Sequence, residues 1–255
     1  MKNNSYHQLI FLLLGVVIIG FLWWIGNELE FRTDRIPLIK NVFGSLFENR
    51  CIERLINTGQ SAFLGLLLSC IIAFIGVVIV SLIPKLEGII TSQLLLIQIT
   101  PILALVPILM VFKFSSYDCY IAASTAISFF PLYIAGTTSL NNGVPDKIIK
   151  LAEVYHTSRW KQFWYFKSGY VIDRMLGVLP LSAPLSVVGA ITGEYVAGGK
   201  DSNLGIFIAQ TVNGNYDIES RYVGLVLSFF AGIVFYLVGF LIHKKYAKYV
   251  RLDKA

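Results

Sequence analysis

Leu151-Ala152-Glu153-Val154-Tyr155-His156-Thr157-Ser158-Arg159-Trp160 is a polar, charged island in a chain that otherwise prefers lipid to water. On either side of it lie long apolar runs, so these groups must face water between two membrane spans. A helix in that position is free to dock a soluble partner. Upstream, Asn141-Asn142-Gly143-Val144-Pro145-Asp146 is a dense turn signal, and Asp146 can N-cap a helix starting just after it. From there Ile148, Leu151, Ala152 and Tyr155 recur at helical spacing on one face, with Lys147, Lys150 and Glu153 elsewhere. After about three turns the helix must break, and Thr157 or Ser158 can cap a second one carrying Trp160, Phe163 and Trp164. The residues alone leave two accounts open: a docking element, or an ordinary amphipathic loop at the membrane interface.

Composition supports the membrane setting. Of 255 residues, 56% are hydrophobic and 14% charged, with mean hydropathy +0.69, where a soluble domain carries about a quarter charged residues. No hydrophilic stretch is long enough for a separate soluble domain, so we expect one all-α integral membrane unit. The net charge of +6 sits beside apolar spans and forms no basic stripe with interleaved aromatics, which argues against nucleic acid. Cys51, Cys70 and Cys119 are scattered, with neither CxxC nor metal-ligand spacing, and read as small apolar fillers. No metal site is expected.

A span needs about twenty apolar residues to cross roughly 30 Å of hydrocarbon. Six stretches qualify: Gln8 to Gly26, Ser61 to Ile83, Gly88 to Val111, Tyr117 to Thr137, Val171 to Ala197 and Tyr222 to His243. The first ends in Trp23-Trp24 without a small-residue cleavage site, so it reads as a retained helix with an aromatic anchor. The third and fourth should form a tight hairpin through Phe112 to Ser116. An even number of spans puts both termini on one side. The tail carries Lys244, Lys245, Lys248, Arg251 and Lys254, and the island's loop carries Lys147, Lys150, Arg159, Lys161 and Lys167. The positive-inside rule places both in the cytosol. The first loop opposes this with Arg32, Arg35, Lys40, Arg50 and Arg54, interspersed with acidic residues. That loop also holds an amphipathic stretch, Phe43, Leu46, Phe47, Cys51 and Leu55, expected to lie on the membrane surface or against the bundle.

Two rows of small residues mark packing faces: Ser61, Gly65, Ser69 and Ala73 in the second span, and Ser182, Ser186 and Ala190 in the fifth. The second row continues to Glu194. A carboxylate there is either a lock within the helix bundle, the reading we favour, or a group near a substrate pathway; near the end of its helix it could also snorkel. Pro180 and Pro184 interrupt the backbone bonding of the fifth span. They imply either simple bending or a kinked helix that lines a pathway.

Three stretches resemble the inner-membrane permease subunit of a type I binding-protein-dependent ABC importer, and more narrowly its nitrate/sulfonate/taurine branch, which also includes bicarbonate and thiamine-precursor permeases. They are Thr100-Pro101-Ile102-Leu103-Ala104-Leu105-Val106-Pro107-Ile108-Leu109, the island ending in Thr157-Ser158-Arg159-Trp160, and Gly193-Glu194-Tyr195 with Asn203-Leu204-Gly205 beyond it. The resemblance implies six transmembrane helices in the type I permease fold. Residues 1–60 would supply the first helix and an outer loop, 61–243 the permease core, and 244–255 a basic cytosolic tail. The island would be the coupling helix that sits on the ATP-hydrolysing subunit, through Lys150, Leu151, Ala152, Glu153, Tyr155, His156, Ser158 and Arg159. Aligned on Ser158-Arg159-Trp160, the family's Glu-Ala-Ala falls on Lys150-Leu151-Ala152 and its usual glycine on His156. Both are departures, since the glycine serves a turn that a β-carbon resists.

The resemblance further implies a second permease copy, identical or not, two ATP-binding subunits, an extracytoplasmic solute-binding protein and a setting in the bacterial cytoplasmic membrane among its lipids. This chain would bind no cofactor and hydrolyse nothing, with ATP consumed on the partner. Gly198-Gly199-Lys200-Asp201 lacks the spacing of a phosphate loop. No catalytic motif occurs, and His7, His156 and His243 all fall outside the expected spans. A secondary transporter driven by an ion gradient is the alternative. It would call for buried mid-membrane charge and repeated halves.

Overall fold

The computed structural model describes residues 14–15, 17–18, 20–21, 23–25, 37, 39–46, 50–99, 102–199, 202–214 and 217–250. Within them all regular structure is helical. In chain order the helices are α1 (Ile39–Ser45), α2 (Cys51–Leu82), α3 (Leu86–Ile99), α4 (Ile102–Val111), α5 (Ser116–Asn142) and α6 (Asp146–Val154). They continue with α7 (Arg159–Gln162), a π-helical turn (Phe163–Lys167), α8 (Ser168–Ala197), α9 (Leu204–Val212) and α10 (Ile218–Val250). α7, the π turn and α8 form one unbroken rod of 39 residues, Arg159–Ala197.

Among the described residues, four helices are long and apolar enough to cross a membrane: Cys51–Leu82, Ser116–Asn142, Arg159–Ala197 and Ile218–Tyr246. They carry the expected second, fourth, fifth and sixth spans. Most of the expected first span lies outside the described residues; those described between 14 and 25 are helical. The expected third span is described as α3, of 14 residues, and α4, of 10, on either side of residues 100–101, which lie outside the described residues. This stretch carries two prolines, Pro101 and Pro107, each removing a backbone donor. The hairpin after α4 is sharpened by a capping box: the Asp118 amide donates to Ser115 Oγ at 3.2 Å, and the Ser115 amide to Asp118 Oδ2 at 3.1 Å.

α8 is the centre of the bundle and packs on α5, α2 and α10. Without a hydrophobic force between helices in lipid, close backbone approach must supply the attraction. Here it does. A β-carbon on Gly189 would come within 2.6 Å of Ser124 Cα, and one on Gly193 within 2.9 Å of Tyr120 Cα. Ser124 Oγ donates to the Ser186 carbonyl at 2.9 Å where α5 crosses α8. Both small-residue rows read from the sequence are buried at these crossings. α8 runs helical through Pro180 and Pro184, and a β-carbon on Gly239 of α10 would lie 3.1 Å from Pro180 Cα.

The amphipathic first-loop stretch packs against the bundle, on a different register from the expected one. Val42 and Cys51 are buried with Leu204, Phe207, Val223 and Leu227, and Leu46 and Leu55 pack beside them, while Phe43 points outward. Phe47 lies outside the described residues.

Candidate functional site

The candidate residues read from the sequence fall at the two ends of the bundle, except Pro180, Pro184 and Ser186, which lie within α8. At the basic end, α6 stands beside the π turn. Its apolar residues form one wide face, of which one edge turns inward and the other outward. Ala152, 3% exposed, faces the chain's own interior, and Ile148 and Ile149 are half-buried. Leu151, Val154 and Tyr155 turn outward, the last two 73% and 69% exposed. Lys150 is exposed, and the side chain of Glu153 lies outside the described residues. The helix includes Asp146 rather than starting after it.

Its end is built by local bonds. The Ala152 carbonyl accepts from Thr157 Oγ1 at 3.0 Å, and the Thr157 carbonyl accepts from Gln162 Nε2 at 3.0 Å. Between them His156 has φ of 46°, in the left-handed region. A non-glycine residue held there costs on the order of 1–3 kcal/mol. His156 thus holds a backbone conformation that a glycine would adopt freely. Ser158 has the extended backbone of an N-cap (φ −62°, ψ 151°), though its hydroxyl makes no capping bond. Arg159 Nη1 donates at 2.9 Å to the carbonyl of Leu82, the last residue of α2. Phe163 is fully buried on Phe74, leaving Trp160 and Trp164 substantially exposed.

At the opposite end, Glu194 is fully buried, so its carboxylate does not snorkel. Oε2 accepts from Thr58 Oγ1 and from the Gly205 amide, each at 2.8 Å. Oε1 accepts from Asn203 Nδ2 at 3.0 Å, with Ser61 Oγ more distant at 3.4 Å. Thr58 Oγ1 in turn accepts from the Leu204 amide at 3.0 Å. The carboxylate therefore sits on the N-terminus of α9, where free amides and the helix dipole favour negative charge. Gly205 is required for this approach: a β-carbon there would lie 2.7 Å from Glu194 Cβ and would also meet the Ile191 carbonyl. The knot joins α2, α8 and α9 by bonds that a buried carboxyl group needs.

One turn beyond Thr58, Arg54 lies buried with its guanidinium 3.7 Å from the centroid of the Phe207 ring, a cation–π contact. In the sequence Arg54 reads only as a loop charge. Its signal is the polar row Arg54, Thr58, Ser61 at helical spacing on α2. Beside the knot, an open cavity of about 450 Å3 is lined by polar groups, including Asn57, Gln60, Tyr117, Tyr120 and Asn203. Asn57 Nδ2 donates to the Ser202 carbonyl at 2.9 Å, and Tyr120 hydroxyl to the Gly198 carbonyl. Ser186 is taken up in the α5–α8 crossing, while Pro184 borders an apolar groove between α8 and α10. Glu194 and Ser186 are thus brought to packed interfaces, and the two prolines to the α10 side of α8. Among the described residues no group of His, Cys, Asp or Glu could hold a metal ion.

An all-helical bundle with several lipid-compatible rods, closed by polar knots at each end, is the architecture of a multi-pass membrane protein. Residues 65–251 match the family described as binding-protein-dependent transport system inner membrane component, and the chain belongs to that family. It is 23% identical over 101 residues to the riboflavin transport system permease protein RibX of Chloroflexus aurantiacus, a match spanning 40% of this chain and 37% of that one. It is also 21% identical over 182 residues to a probable ABC transporter permease protein of Haemophilus influenzae, covering 71% of this chain and 73% of that one.

Proposed function

We propose that this chain is the permease subunit of an ATP-driven importer that carries a small solute across a bacterial cytoplasmic membrane. The observation that carries the reading is α6, which is anchored inward by Ala152 and presents Leu151, Val154 and Tyr155 to the outside. An exposed apolar patch rimmed by Lys147, Lys150 and Arg159 has the composition of a docking face. Its occupant in this reading is the ATP-binding subunit, two of which serve two permease copies, with a solute-binding protein on the other side. ATP is bound and hydrolysed on those partners. His156 and Ser158 shape the turn, and Arg159 ties it to α2. Glu194 serves as a lock of the outer end, and both termini lie in the cytosol.

For the solute, the motifs shared with the nitrate/sulfonate/taurine branch support a small polar compound such as a sulfonate, taurine, nitrate, bicarbonate or a thiamine precursor. The name of the partial relative from Chloroflexus aurantiacus adds a flavin to that set. Selection among them falls to the solute-binding protein.

The test is co-purification of the full-length chain with its host's ATP-binding subunit. The wild type should retain the subunit in detergent, and Val154→Asp with Tyr155→Asp should lose it while the permease still purifies as a folded species. Retention by the double variant would sink the docking assignment. Uptake that survives vanadate would favour a transporter driven by an ion gradient instead.

A further inference from the structure

Between α5, α8 and α10, at the basic end of the bundle, lies an open cavity of about 470 Å3 that the transport reading does not use. Ser139 and Gly143 line it from the end of α5, Asp173, Arg174 and Gly177 from α8, and His243 from α10. Two polar atoms in its wall are buried without a partner: Ser139 Oγ, in a residue 1% exposed, and His243 Nδ1. Buried polar atoms are almost always paired. An orphaned hydroxyl and an orphaned imidazole nitrogen at one wall, each too enclosed for a water to reach, therefore point to a group that enters the cavity and opens the wall to them. Asp173 and Arg174 are consecutive on a helix and project about 100° apart, so neither neutralises the other. The wall offers a guanidinium, an imidazole, a hydroxyl and a carboxylate. That set complements a zwitterion bearing a phosphate and an ammonium.

Depth narrows the source. His243 stands where the apolar run of α10 ends: Leu237, Val238, Leu241 and Ile242 are exposed just before it, and Lys244 and Lys245 come directly after. An exposed apolar stripe leading into a polar pocket flanked by lysines is where acyl chains give way to headgroups.

We infer that this cavity holds the headgroup of an aminophospholipid, with its phosphate on Arg174, His243 and Ser139 and its ammonium on Asp173. The side of the membrane rests on the proposed cytosolic placement of the basic end, whereas the site itself stands without it. Glycines keep the space open. A β-carbon on Gly143 would lie 2.7 Å from Ser139 Oγ, while one on Gly177 would meet only His243 Cε1, at 3.8 Å. A leucine at Gly177 would therefore fill the cavity without disturbing a helix crossing.

The test is native mass spectrometry of the full-length chain, extracted from mixed micelles containing phosphatidylethanolamine, phosphatidylcholine and phosphatidylglycerol, with free phosphoethanolamine as a soluble arm. Phosphatidylethanolamine should be retained over each of the others by roughly tenfold, the worth of one charge-assisted bond. Gly177→Leu and Arg174→Gln should abolish retention at an unchanged melting temperature, and Asp173→Asn should erase the preference over phosphatidylcholine. Equal retention of the three lipids, or retention unchanged in Gly177→Leu, overturns the site. Retention of free phosphoethanolamine without lipid overturns the lipid assignment. The readout involves no transport, so its failure is separable from failure of the permease reading.

Discussion

Removing the Glu194 side chain should unfold the end of the bundle around α9, and removing only its charge should not. In Glu194→Ala, the Gly205 amide, the Asn203 amide and the Thr58 hydroxyl lose an acceptor 2.8–3.0 Å away. Ser61 keeps its bond to the Thr58 carbonyl at 3.0 Å and loses little. Each orphaned buried donor costs about 1–3 kcal/mol. Relief of carboxylate desolvation and entry of water offset part of this, leaving roughly 3–5 kcal/mol. At about 2–4 °C per kcal/mol for a chain of this size, that is a fall of about 6–20 °C in melting temperature. In Glu194→Gln the new NH2 can occupy the Oε1 position, where the Asn203 amide can turn its oxygen to it and Ser61 already has another acceptor. The remaining oxygen keeps Thr58 and Gly205, so the cost should stay near 1 kcal/mol. The assay is thermal unfolding of the full-length chain in detergent, followed by size exclusion. If Gln proves as damaging as Ala, the charge itself is required and the bonding account is wrong. If Ala is tolerated, the knot is not structural.

Related changes probe other joints. Gly205→Ala should destabilise by about 1–3 kcal/mol through overpacking against Glu194, whereas Gly59→Ala, on the same end of α2 with nothing within 4 Å of its β-carbon, should stabilise by about 0.5–1 kcal/mol. His156→Gly should relieve the left-handed strain and slow amide hydrogen exchange across residues 151–157 by about two- to fivefold, a net gain near 0.5–1 kcal/mol after the entropy of glycine; faster exchange would contradict the strain assigned there. Ala152→Arg should dislodge α6 from the π turn and raise the protease sensitivity of the loop, because Ala152 is buried against the chain's own interior. Unchanged proteolysis would show that α6 is not held by that contact.

Much of this fold is legible in the sequence because one-dimensional patterns carry it. The four-residue spacing of Ser61, Gly65, Ser69 and Ala73 is itself a statement about which face of a helix another can approach. The turn at Asn141 to Asp146 is written in residue types, and alignment on Ser158-Arg159-Trp160 singles out 156 as a place needing unusual backbone geometry. What escapes depends on partners far apart in the chain. Glu194 finds Thr58 across 136 residues, and nothing local to either reveals the other. Arg54 looks like a loop charge because its aromatic partner, Phe207, belongs to another helix. The inward turn of Ala152 is hidden for a different reason. On a helix with so wide an apolar face, periodicity cannot choose which edge of that face meets the bundle. The Ser115–Asp118 capping box has a readable spacing that the expectation of a tight hairpin through Phe112 to Ser116 left unused.

The bond from Arg159 to the Leu82 carbonyl has a mechanical consequence when taken with the Thr58–Glu194 bond at the far end. Arg159 and Glu194 belong to one continuous helical rod, Leu82 and Thr58 to another, so the two rods are pinned to each other near both extremities. Sliding one past the other by two residues, about 3 Å, would stretch bridging bonds of 2.9 and 2.8 Å to about 4 Å, beyond hydrogen-bonding range. Together α2 and the α7–α8 rod form a rigid frame. A change of state that leaves both pins intact must carry this frame as one body, and the deformation must fall in the elements hung from it.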